Sequence, residues 1–272
     1  MAVHIAGRRA GRVATAVATA ALIGMAASAC GPDGGDDGKS DGESSSAAPK
    51  GPAASKGPGE PGKTRDPAAG APEAKAPPAG SERLAETPAS VKGGVITVGD
   101  PKAGHTVKVY EDARCPFCGK FEEGGAQALV GPVAEGKVKV EYTIASFLDK
   151  NLGGSGSVNA ANALRAAVEA GEFPQFHAAV FANQPAEESE DAFTPAFLLK
   201  IADKVDGLRG DAFDKAVTNG TYEKWVGQAM ASFSDDGISG TPTVLVDGKK
   251  VEDGAVYDKA AFAKKLKAAG IS

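Results

Sequence analysis

Histidine and cysteine are scarce in this 272-residue chain: His4, His105 and His177 are scattered, and Cys30, Cys115 and Cys118 are the three thiols. A tetrahedral zinc site needs four ligands, and the one closely spaced pair, Cys115 and Cys118, is followed by no second CxxC and no HxxxH. No metal and no cofactor is expected. An excess of basic charge is also missing: 30 Lys and Arg against 35 Asp and Glu leave a net charge of −5. With no basic patch to neutralise phosphates, a nucleic-acid partner is not expected. Residues 31–90 lack large apolar side chains except Leu84. Such a segment cannot bury enough surface to offset its ordering entropy, so it reads as a disordered tether.

What is present begins with an export signal. Arg8, Arg9 and Arg12 form a basic start, residues 13–27 form a short Ala-rich apolar stretch, and Ala27-Ser28-Ala29-Cys30 closes it with small residues. The stretch is too short for a comfortable membrane span and reads as a signal peptide over 1–29. Its closing cysteine resembles a bacterial lipobox, in which Cys30 is acylated and anchors the chain to the outer face of the membrane. Ala27-x-Ala29 also suits ordinary cleavage and free secretion, so both outcomes stand. With Cys30 in lipid, Cys115 and Cys118 remain as a pair and no thiol is left over in an oxidising compartment.

Cys115-Pro116-Phe117-Cys118 sits directly behind the strand-like run 107–110. Two intervening residues let one turn of backbone bring both sulfurs together, with the first at a helix N-terminus. There, unpaired N–H groups and the helix dipole favour its thiolate. Cys115 is therefore the expected nucleophile of a redox dithiol. Half of a zinc site and an inert staple are the alternatives, the latter of modest value because so small a loop removes little unfolded-state entropy.

The folded domain is expected over 91–272. Residues 94–99 and 106–111 read as strands around a turn at Asp100-Pro101, and 137–144 alternates Val138, Val140 and Tyr142 in period two. A helix over 115–130, weakened at Gly124-Gly125, links the last two, so they form a parallel pair with a right-handed crossover. Residues 152–237 read as a helical block, with Thr194-Pro195 a cap and first-turn proline. Strand character returns at 243–246, with Asp247-Gly248 a hairpin turn into 249–252, and 258–269 forms a last helix with lysines near its end. The fold class is α/β, a split sheet with a helical insertion.

These residues resemble the DsbA-like branch of the thioredoxin superfamily over nearly all of 94–272. Three separated signals carry the resemblance: Tyr110-Glu111-Asp112-Ala113-Arg114-Cys115-Pro116-Phe117-Cys118, the stretch 160–185 ending Phe181-Ala182-Asn183-Gln184-Pro185, and Gly237-Ile238-Ser239-Gly240-Thr241-Pro242-Thr243. The resemblance implies a thioredoxin-like fold with an inserted helical subdomain. It also implies a cis proline at Pro242 facing the dithiol, with substrate pairing against the backbone at Thr241 and packing on Pro116 and Phe117. It implies an extracytoplasmic thiol-disulfide oxidoreductase that donates disulfides to unfolded secreted proteins with cysteine thiols and is reset by a separate redox partner. The reductase or isomerase direction, and a non-catalytic binding lipoprotein on the same scaffold, are the alternatives.

The sequence departs from many relatives at the position six before the first cysteine, where Val109 replaces a buried acid. Asp112 and Glu111 are the nearby carboxyls able to substitute, and Arg114 is expected either to place its guanidinium near the Cys115 thiolate or to be an exposed loop cation. Trp225 and the Phe residues of the insertion read as core. His177 reads as a packed or partly exposed histidine, and the acidic loop 187–191 as merely solvated.

Overall fold

The computed structural model describes residues 66–271. The expected signal peptide 1–29, Cys30 and the tether up to residue 65 lie outside the described residues. Among those described, one six-stranded sheet runs in the order β1-β2-β4-β3-β5-β6. Strand β1 (Ala89–Lys92) turns at Gly93 into β2 (Val95–Val98), which pairs antiparallel with β4 (Val138–Ala145). Strand β3 (His105–Asp112) lies parallel to β4 and antiparallel to β5 (Thr243–Val246). The edge strand β6 is shorter than the sequence suggests, Lys249–Lys250. Asp247 in the hairpin turn accepts from the backbone N–H of Thr106, which fixes the hairpin to the start of β3.

Between β3 and β4 the chain crosses through α1 (Pro116–Glu123) and α2 (Val130–Ala134). The expected single helix is broken at Gly124-Gly125 because the 3₁₀ turn Gly254–Tyr257 crosses there: a Cβ on either glycine would collide with the carbonyls of Tyr257 or Val256. The helical block between β4 and β5 holds α3 (Leu148–Leu152), α4 (Gly156–Ala170), α5 (Phe173–Ala182), α6 (Pro195–Ala202), α7 (Asp211–Thr218) and α8 (Glu223–Asp235), and α9 (Lys259–Ala268) closes the chain. Helix α4 follows its Ala-rich sequence, with its Ala face fully buried against α5 and α7. Thr194 caps α6 by accepting from the N–H of Phe197, with Pro195 at the first helical position. Trp225 is core, as expected, and its indole N–H donates to the Gly93 carbonyl at 2.8 Å.

Residues 66–90 depart from the tether expectation. Ala68 is fully buried, and Asp66 pairs with Arg209 at 3.0 Å. The Asn183 amide brackets both backbone groups of Lys75, at 2.7 and 2.9 Å, and Gln175 accepts from the Ser81 hydroxyl at 3.1 Å while donating to the Ser81 carbonyl at 2.9 Å. Composition misses this docking because the pairing partners are two side-chain amides one hundred residues away in sequence, not an apolar pattern in the segment itself.

Candidate functional site

The strand β3 ends at Asp112, and the N–H of Cys115 turns back to the Asp112 carbonyl at 2.9 Å. This places Cys115 as the extended N-cap of α1, with Pro116 in the first turn, where a missing N–H costs nothing. The N–H groups of Cys118 and Gly119 both bond to the Cys115 carbonyl. Cys115 and Cys118 are free thiols, 7% and 0% exposed. The Cys115 Sγ donates to the Thr241 carbonyl at 3.4 Å, and the Thr241–Pro242 peptide is cis. Thus Cys115, Cys118, Pro116, Thr241 and Pro242, far apart in sequence, meet in one place.

The two sulfurs are electrostatically unequal. The Cys118 thiol donates to the Cys115 thiolate, and the N–H groups of Cys118 and Phe117 add to it, so the Cys115 thiol falls from 9.0 to about 6 despite burial. Burial pushes the Cys118 thiol well up, helped by the adjacent Cys115 thiolate and the Glu111 carboxylate. The acidic sulfur with a slight exposed edge and the fully buried, basic one are therefore distinct. Around them, Phe117 is 51% exposed and Tyr257 39%, their rings 6.2 Å apart, with the Lys120 ammonium 5.0 Å from the Phe117 centroid. These form an apolar lip beside the dithiol.

Arg114 corrects both sequence readings. Its side chain is fully buried and turned into the helical block, where it donates to Asp149 at 2.7 Å and to the carbonyls of Gly153 and Glu188. Neither an exposed cation nor a neighbour of the Cys115 sulfur, it is a clamp between the dithiol loop and the insertion. The acidic loop 187–191 is likewise more than solvated: Glu188 accepts from Arg114 through its carbonyl, and Asp191 accepts from the N–H groups of Ser155 and Gly156 at the start of α4. Asp112 is buried as well, but its carboxylate accepts from Ser157 Oγ at 2.7 Å and from the N–H groups of Arg114 and Leu148. Burial raises it to about 6. Glu111, its neighbour on the other face of β3, is the carboxyl coupled to both sulfurs.

Sequence reasoning gave no site role to three residues that shape the site, Gln184, Glu122 and His177, the last read as a packed or partly exposed histidine rather than a ligand. Gln184 donates to the carbonyls of Ala113 and Cys115 at 2.7 and 2.8 Å and so holds the loop that carries the dithiol. It reaches them because Gly119 has no side chain; a Cβ there would collide with the Gln184 amide. Glu122 on α1 and His177 on α5 close around Glu111, with His177 Nε2 2.5 Å from Glu111 Oε1 and the imidazole packed on Tyr142, Phe173 and Phe181. The stretch 160–185 that holds Gln184 was legible as a family feature, but the contact of Gln184 was not.

Comparison with known proteins agrees with this architecture. The family described as Thioredoxin matches residues 91–264. Among solved structures, reduced DsbA from Mycobacterium tuberculosis is 27% identical, with a TM-score of 0.52 over 67% of this chain and 91% of that one. Reduced DsbG from the same organism, described as a disulfide bond oxidoreductase, is 26% identical, with a TM-score of 0.52 over 71% of this chain and 94% of that one. A curated relative, Na(+)/H(+) antiporter NhaA 3 of Salinispora tropica, is 29% identical over 156 residues, which span 56% of this chain and 21% of the antiporter. With the dithiol at the head of α1, the cis proline opposite and the helical block inserted between β4 and β5, the chain belongs to the thioredoxin family, in its DsbA-like branch.

Proposed function

We propose that this chain donates disulfides to unfolded secreted proteins outside the cytoplasm, through Cys115 and Cys118. It is a thiol-disulfide oxidoreductase; the direction of transfer rests on the lowered Cys115 thiol. A thiolate stabilised in the reduced protein makes that form the favoured product, so the disulfide form is a ready oxidant.

In the oxidised enzyme a substrate thiolate attacks the Cys115 sulfur, the Cys115–Cys118 bond breaks, and Cys118 leaves with the electron pair and takes up a proton. A second substrate thiolate then attacks the sulfur shared with Cys115, forming the substrate disulfide and releasing the Cys115 thiolate. Two electrons pass from substrate to enzyme, and a separate redox partner removes them to restore the disulfide. Cys115 keeps a small exposed edge, 7%, for attack, whereas Cys118 at 0% is shielded from substrate. Thr241 and Pro242 offer backbone to an extended substrate and Phe117 an apolar surface, a combination suited to unfolded chains. Cys30, in the lipobox-like sequence, anchors the chain to the outer face of the membrane.

The test is the reduction potential of the Cys115–Cys118 couple, measured by equilibration with glutathione. A donor has a potential clearly above roughly −270 mV, the thioredoxin value, and one close to it overturns the donor direction in favour of a reductase. The deciding observation for catalysis is trapping: the Cys115 thiolate of Cys118→Ala attacks disulfide-bonded substrates, releasing one substrate thiol and accumulating mixed disulfides, and their absence leaves only a binding protein.

A further inference from the structure

We propose that Glu111, Glu122 and His177 form a buried site for a divalent cation of the zinc type. The three come from separate elements, β3, α1 and α5, and one ligand atom from each lies within 4.8 Å of the other two. The expectation of no metal came from counting cysteines and histidines along the sequence, a count blind to carboxylates that meet one histidine in space.

Unpartnered buried oxygens point to a cation. Two carboxyls meet here in the interior, Glu111 at 0% exposure and the Glu122 side chain at 11%, with one imidazole between them. Oε2 of Glu111 and Oε1 of Glu122 are buried, and no donor among the described residues reaches them. Buried carboxylate oxygens without donors are costly. Two carboxylates and one neutral imidazole neutralise a dication, and nitrogen with carboxylate oxygen is a donor set that zinc accepts at about 2.0–2.2 Å, with small inward shifts of the three side chains. A cavity of about 50 Å³ lined by Glu122, His177 and Tyr142 has room for a fourth, water ligand. Glu122 also reaches an open depression beside Lys75 and Pro78, which gives the cation a way in. A proton shared by the two carboxyls is the competing occupant of the same place.

The test uses the full chain with Cys30, Cys115 and Cys118 all replaced by Ser, so that no thiolate contributes and the outcome is independent of the redox reading. Zinc is titrated calorimetrically, and cobalt serves as a visible-absorption probe. The expected result is one saturable zinc per chain, cobalt bands without thiolate charge transfer, and affinity weakened about tenfold or more by Glu122→Gln and by His177→Gln. Glu123→Gln, an exposed neighbour, leaves affinity unchanged. Near-UV circular dichroism verifies that each variant is folded, and Glu122→Asp, which retains the charge but withdraws the oxygen, replaces any that is not. No saturable binding by the parent chain, or binding that the folded ligand variants leave intact, overturns the site and leaves the shared proton.

Discussion

The Cys115 sulfur lies 3.4 Å from the Thr241 carbonyl, with the cis Thr241–Pro242 bond facing the head of α1. An extended substrate that pairs with the Thr241 backbone would bring its own sulfur to Cys115, and the lowered thiol makes that sulfur the exchange point. Cys115→Ser is therefore expected to abolish disulfide transfer to a reduced unfolded protein. Cys118→Ala has no disulfide to donate to that reduced chain, but its Cys115 thiolate still attacks a disulfide-bonded substrate, releases one substrate thiol and stalls at the mixed disulfide, seen as a slower band on a non-reducing gel.

The thiolate of Cys115 is expected to titrate with a midpoint of about 6 by absorbance at 240 nm. Because its folded value lies below the ordinary 9.0, the reduced native state gains stability as pH rises from about 6 towards 9 and loses it as pH falls back through 6. The difference in melting temperature between the reduced parent and Cys115→Ser should grow over this window. A difference independent of pH contradicts the depressed thiol.

Removal of the Gln184 amide leaves the carbonyls of Ala113 and Cys115 without their donor. Gln184→Ala is expected to destabilise the oxidised protein by about 1–3 kcal/mol in urea unfolding and to shift the thiolate midpoint by loosening the loop. Gly119→Ala, which pushes a methyl into the same amide, should act in the same direction.

Arg114→Met takes the guanidinium from Asp149, which keeps the N–H groups of Ser157 and Val158, so the loss is expected below the roughly 3–5 kcal/mol of a fully broken buried pair, at about 1–3 kcal/mol in urea unfolding. The thiolate midpoint of the folded fraction should not move, because the guanidinium contacts the helical block and not the sulfur. A large shift in that midpoint with little loss of stability would restore the pKa-tuning reading.

The exposed ring of Phe117 beside Tyr257 predicts a split between substrates. Phe117→Ala should lower kcat/KM for an unfolded protein roughly tenfold, the scale of losing an aromatic anchor, while leaving the rate with glutathione unchanged. Equal losses on both would point to the dithiol and not to the lip.

The dithiol was legible because a CxxC after an apolar strand encodes its own local geometry: the turn, the cap and the first-turn proline all lie within four residues. The strands β3, β4 and β5 were legible from period-two and apolar runs, and Pro242 from its place before a strand. Arg114 was misread because nothing in its neighbours in sequence reveals which way the chain turns after β3. Residues 66–90 were misread because Asn183 and Gln175 supply their pairing.

By itself, the sequence determined the order of β2 to β6, the helical block between β4 and β5, the redox pair and its place at a helix start, since these follow from backbone periodicity and turn chemistry over short spans; β1, which begins inside the segment read as tether, it did not. The tertiary structure alone decided which carboxyl couples to the sulfurs, where Arg114 points, and that Glu111, Glu122 and His177 converge. Burial and electrostatics depend on distances between elements that the chain order does not contain, and a side chain's charge acquires its meaning only from what folding places opposite it.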